Sequence, residues 1–167
     1  MDALSDPAEA IGNIMESFVL TYRHDAASRT VLLVTDYPFT SPGSIREFAA
    51  FVFQDASFER IPGDYAPYQG VTNSYQGKGP GGMVVQHIGR RPAGPGGDWV
   101  ELWFGPNFGG IAIAYGGLRG YTRGSTATQV GPAAWQYRDS KTNEKFEFAY
   151  PFPSLIGPSP YPGQLGS

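Results

Sequence analysis

The chain contains no cysteine, no cluster of basic residues and few charges of either sign. The lack of cysteine excludes disulfides, thiolate catalysis and cysteine-ligated metal centres. The 12 Lys and Arg residues are scattered among 15 Asp and Glu residues, and the longest basic run is Arg90-Arg91. Binding to nucleic acid without sequence preference needs a clustered basic surface that neutralises phosphates. We therefore expect no nucleic-acid partner.

Long apolar runs are also missing. The longest uncharged stretches, residues 102–118 and 148–167, are interrupted by glycines or prolines, whereas a bilayer-spanning helix needs about 20 consecutive apolar residues. The opening MDALSDPAEA carries acidic residues where a secretory signal carries basic ones, and no apolar segment follows it. The sequence thus predicts a cytoplasmic protein with no transmembrane segment of its own.

Motifs for catalysis and cofactor binding are equally scarce. Gly77–Gly82 matches G-x-G-x-x-G by letter, but a strand is predicted after it instead of a helix, and Pro80 removes one amide from a phosphate cradle. The two histidines, His24 and His87, have no partner at a spacing that would bring two metal ligands to one face. No G-x-S-x-G motif is present. We predict a non-enzymatic protein without catalytic residues, metal or cofactor.

Glycine and proline are abundant, with 23 and 15 residues, which disfavours a helical bundle and favours strands joined by turns. One short helix is predicted over residues 6–15, because Asp6 can cap it, Pro7 suits its first position and Glu9 completes a capping box. The length of 167 residues is that of one domain. We assign residues 1–150 to this domain and residues 151–167 to an extended proline-rich C-terminal arm.

Runs of β-branched and aromatic residues between Gly/Pro turns predict eight or nine short strands after this helix. They cover residues 17–25, 29–37, 45–54, 83–91, 98–105, 110–116, 118–123, 134–138 and 144–150. Residues 61–82 show little periodicity, and a loop of this length is usually functional. Turn signals about every 8–12 residues predict a mainly β fold, an antiparallel β-sandwich or a partly open β-barrel.

The strand at residues 98–105 places Trp99 and Trp103 around Glu101 on one face. Its other face carries an ordinary apolar set: Val100, Leu102 and Phe104. Glutamate is rarely buried without a partner, so we expect the two indoles to be partly exposed and to bind a protein or a sugar. In the alternative interpretation, the helix or residues 61–82 cover the indoles and an arginine pairs with Glu101. The predicted site also includes three tyrosines: Tyr65, Tyr68 and Tyr75.

The C-terminal arm carries no charge, and its closely spaced prolines favour an extended, polyproline-like path that excludes a helix or a central strand. It nevertheless contains large apolar side chains, which disordered tails usually lack. We expect these side chains to lie either on the protein's own sheet or on a neighbouring protein. The predicted contact residues are Phe152, Leu155, Ile156 and Tyr161.

Sparse charge and an aromatic content of 14% predict uncharged surface patches of the kind that mark contact sites. Our leading hypothesis is an accessory or structural subunit that docks on a larger protein assembly, for instance on the cytoplasmic side of a membrane-bound complex. The first alternative is a β-module that binds a carbohydrate or another small ligand. The second is a small cytoplasmic inhibitor or immunity-type protein that binds one enzyme.

Overall fold

The computed structural model describes residues 1–37, 46–64, 84–94, 97–132, 134–146 and 151–156. Among these described residues, strand accounts for 62% and helix for 8%, which confirms the predicted class: a mainly β protein with two sheets, consistent with a sandwich or partly open barrel. No described helix is long and apolar enough to cross a membrane. The helices are α1 (Pro7–Gly12) and α2 (Pro153–Ile156). The strands are β1 (Asp2–Ala3), β2 (Val19–Asp25), β3 (Thr30–Tyr37), β4 (Arg46–Gln54), β5 (Ser57–Ile61), β6 (His87–Gly94), β7 (Gly97–Trp103), β8 (Gly110–Tyr115), β9 (Gly117–Gly131), β10 (Ala134–Asp139) and β11 (Lys145–Phe146).

The strands form a larger and a smaller antiparallel sheet. The larger sheet has seven strands in the order β11-β10-β9-β4-β3-β2, with β1 beside β9, and the smaller sheet has four in the order β5-β8-β7-β6. At one corner Phe18 pairs with Val84, and the backbone N–H of Gln86 donates to the carbonyl oxygen of Trp103 at 2.8 Å. The segment before β6 therefore contacts both sheets and partly closes the sandwich at this corner.

Apolar side chains form one cluster on each face of the larger sheet. The first cluster lies between the sheets and includes Phe51 of β4 and Ile113 of β8. The second lies on the outward face of the larger sheet and includes Val34, Phe48 and Phe146. Because successive side chains of a strand point to opposite faces, β4 contributes phenylalanines to both clusters.

Helix α1 begins as predicted but ends earlier. The Asp6 side chain accepts a hydrogen bond from the Glu9 backbone N–H at 2.8 Å, and Pro7 occupies the first turn. The helix stops at Gly12, since glycine disfavours helix continuation. Two of its residues are buried in the cluster between the sheets: Ala10 and Ile11.

Three strands differ from the sequence prediction. β1 was not predicted, because it has only two residues and forms by pairing with the distant β9. β5 was not predicted, because its sequence SFERI is short and largely polar, and it is stabilised by pairing with the distant β8. β9 spans 15 residues rather than residues 118–123 alone, because it pairs with β1, β4 and β10. The predicted continuation of the last strand to Tyr150 lies outside the described residues, as does the predicted start of β6 at Met83.

The first part of the C-terminal arm packs on the outward face of the larger sheet. Phe152 is only 1% exposed in the second cluster, and Leu155 packs against the same cluster. The single helical turn α2 corrects the expectation that this arm excludes helix, since proline is well suited to the first position of a helix. For Phe152 and Leu155, the surface that receives the arm is thus the protein's own sheet.

A buried ion cluster centred on Arg123 holds this part of the arm. The Arg123 side chain, 7% exposed, donates to Asp139 at 2.7 Å and to Glu144 at 2.9 Å. It also donates to the backbone carbonyl oxygen of Pro151 at 2.7 Å, and its guanidinium carbon lies 4.5 Å from the centre of the Phe146 ring. One side chain on β9 therefore joins β10, the turn that follows it and the C-terminal segment.

The Asp139 carboxylate is held by the turn between β10 and β11. Burial raises its pKa, but hydrogen bonds from Thr142, Arg123 and Lys141 outweigh this effect and lower the pKa from 3.8 to about 2. The backbone N–H groups of Lys141 and Thr142 each donate to this carboxylate at 2.8 Å. Asp139 therefore remains charged, and paired with Arg123, throughout the neutral range.

Candidate functional site

Strand β7 has the two-faced pattern that the sequence predicts. Its apolar set points into the cluster between the sheets: Val100, Leu102 and the adjoining Phe104 are buried. Trp99, Glu101 and Trp103 are half-buried on the opposite side, which places them on the outward face of the smaller sheet. Both indoles are thus partly exposed, as in the first of the two interpretations that the sequence left open.

Cross-strand register extends this surface over all four strands. We call it the outer face, and it has three rows. The row of Trp99 contains Ser57, Ala114 and Arg91. The row of Glu101 contains Glu59, Ala112 and Gly89. The row of Trp103 contains Ile61, Gly110 and His87.

Bulky and small residues occupy separate, neighbouring strands of the outer face. The β8 residues Gly110, Ala112 and Ala114 form a low strip between the side chains of β5 and β7. Since adjacent strands are about 4.8 Å apart, the two flanking strands are about 10 Å apart. We call this strip and the two strands beside it the groove. Gly110 and Ala112 in the strip are buried and Ala114 is half-buried; one flanking strand carries both tryptophans, and each carries a glutamate.

Trp99 is held on the outer face by residues of β6. A Cβ atom built on Gly89 would lie 3.5 Å from Cζ3 of Trp99, so the indole extends over this glycine. The guanidinium carbon of Arg91 lies 4.3 Å from the centre of the Trp99 ring, within the range of a cation–π contact. The indole is therefore fixed on the β6 side, away from the groove, and one of its ring faces is covered by a cation.

The glutamates of the groove face each other across Ala112. Glu101 is half-buried and Glu59 is exposed, and neither forms an ion pair with a described residue. The alternative in which an arginine neutralises Glu101 is not realised within this part of the chain, where Arg91 stacks on Trp99 instead. The groove thus carries two negative charges that the described structure leaves unneutralised.

The other predicted contact residues are not all brought to this surface. Tyr65, Tyr68, Tyr75 and Tyr161 lie outside the described residues, as does the side chain of Ile156. Phe152 and Leu155 lie against the outward face of the larger sheet, on the opposite side of the sandwich from the groove. The structure therefore joins Trp99 and Trp103 in one surface and places Phe152 in the interior of the protein.

The histidines lie apart from one another in the structure. His24 lies in β2, and its ring stacks on Phe58 with the ring centres 5.1 Å apart. His87 is exposed at the start of β6, opposite Trp103. No group of three or more His, Asp or Glu residues with the geometry of a metal site occurs among the described residues.

Sequence reasoning missed the small-residue strip and the role of Arg91. The sequence GIAIAYG does contain the signal, because its small residues alternate with isoleucine. In a strand, this alternation places a bulky apolar face toward the interior and a nearly flat face toward the exterior. The contact between Arg91 and Trp99 depends on the pairing of β6 with β7, which local sequence does not specify.

No protein-family model, curated protein or solved structure matches this chain.

Proposed function

We propose that this protein is a non-enzymatic accessory subunit that docks on a larger protein assembly through the outer face. The observation that supports the proposal best is the stack of Arg91 on a half-buried Trp99 beside the groove. Tryptophan and arginine are the residue types most enriched among side chains that dominate binding energy at protein interfaces. Because Arg91 and Gly89 already hold the indole in place, little side-chain entropy is lost on binding.

The size of the outer face indicates that further residues take part. Four strands about 4.8 Å apart, each contributing about five residues at 3.4 Å, span roughly 300 Å². A standard interface buries about 800 Å² on each partner. We therefore retain Tyr65, Tyr68 and Tyr75 as proposed contacts beside the outer face. Ile156 and Tyr161 stay proposed contacts of the C-terminal arm, whose first residues pack on the opposite side of the sandwich, and a membrane-bound complex, approached from the cytoplasm, stays a proposed host.

Carbohydrate binding receives less support than protein docking. A sugar stacks on a free ring face, whereas one face of Trp99 is already covered by Arg91. An inhibitor or immunity-type protein would use the same surface as an accessory subunit and would differ only in the identity of its partner. We therefore keep docking as the proposed activity, with a single enzyme as one class of partner.

Site-specific photo-crosslinking in cells of the source organism tests the proposal. A benzophenone amino acid replaces Trp103 in one variant and Val130 in the control, because Val130 is 61% exposed on β9 of the larger sheet. We expect one discrete cross-linked protein at position 103, none at position 130, and a marked loss when Trp99→Ala is added. Recovery of only the 18.0 kDa monomer, or equal cross-linking at both positions, would contradict docking through this face.

A panel of glycans distinguishes the carbohydrate-binding function from protein docking. Binding of a sugar to the outer face changes the tryptophan fluorescence of the wild-type protein, and Trp103→Ala abolishes the change. Such a response, together with no cross-linked protein, would favour the carbohydrate-binding function.

A further inference from the structure

We draw no further inference here: the strongest candidate, the two buried hydroxyl groups of Ser17 and Thr35 near the start of β2, which form no hydrogen bond with a described residue, carries none because nothing in the described part of the chain shows what would bind to them.

Discussion

Replacing Arg123 with methionine removes the guanidinium group that joins β9 to the β10–β11 hairpin and the C-terminal segment. The lost contacts are the hydrogen bonds to Asp139 at 2.7 Å, to Glu144 at 2.9 Å and to the carbonyl oxygen of Pro151 at 2.7 Å. Methionine keeps much of the buried aliphatic volume, so the change tests the charge and the hydrogen bonds rather than the packing.

The expected cost follows from the burial of the two acidic partners. Asp139 is 5% exposed, and removing one partner of a buried ion pair costs about 3–5 kcal/mol. The Glu144 side chain is 64% exposed, so its pair contributes at most about 1 kcal/mol. Backbone N–H groups of Lys141 and Thr142 still bond to Asp139, which places the expected loss near the lower end, at about 3 kcal/mol.

Urea unfolding followed by circular dichroism measures this free energy directly. At about 2–4 °C per kcal/mol for a chain of this length, the melting temperature falls by roughly 6–12 °C. The matched control is Glu144→Gln, which we expect to cost less than about 1 kcal/mol. If Arg123→Met unfolds within about 1 kcal/mol of the wild type, or no more easily than Glu144→Gln, the cluster does not stabilise the fold as reasoned here.

Two further predictions concern the same region. The folded pKa of Asp139 is lowered from 3.8 to about 2, so its contribution is present above pH 3.8 and is lost as the pH falls through about 2. This shift corresponds to about 2 kcal/mol. The free energy of unfolding in urea should therefore fall as the pH is lowered from 3.8 to about 2, and it should fall less in Asp139→Asn. An equal fall in the variant would contradict the role of Asp139. Phe152→Ala leaves a cavity in the second cluster, where the side chain is 1% exposed, and we expect a loss of about 3–5 kcal/mol in the free energy of unfolding. The half-buried Leu155→Ala is the matched control, and equal costs for the two variants would contradict internal packing of Phe152.

These packing contacts also change how the C-terminal arm is tested for docking. A truncation that begins at Phe152 removes part of the second cluster. It also removes the residue next to Pro151, whose backbone carbonyl oxygen accepts a hydrogen bond from Arg123. A loss of docking in that variant would therefore reflect instability as well as lost contacts. A truncation that begins after Ile156 keeps both features and isolates residues 157–167.

Local patterns in the sequence predicted the helix start, most strand positions and the two faces of β7. A capping carboxylate at Asp6 and a proline at Pro7 act within one helical turn. The alternation around Glu101 acts within one strand. Both are interactions between residues a few positions apart, and the structure confirms them.

Features that depend on distant pairing were missed. β5 is stabilised by β8, with Ser57 opposite Ala114, and nothing within SFERI specifies that partner. The packing of Phe152 was left open between the protein's own sheet and a neighbour, because apolar content shows that a side chain is covered but not what covers it. The burial of Arg123 was also missed, since its acidic partners come from a hairpin formed by later residues.

The sequence by itself determined a mainly β chain without thiol chemistry and with two tryptophans around a glutamate on one strand face, because composition and alternation are local properties. Only the tertiary structure decided that small residues of β8 lie between two strands that each carry a glutamate, that Arg91 covers Trp99 and that Phe152 is internal. The physical reason is that these features require strands far apart in sequence to pair in one register and cover one another's side chains.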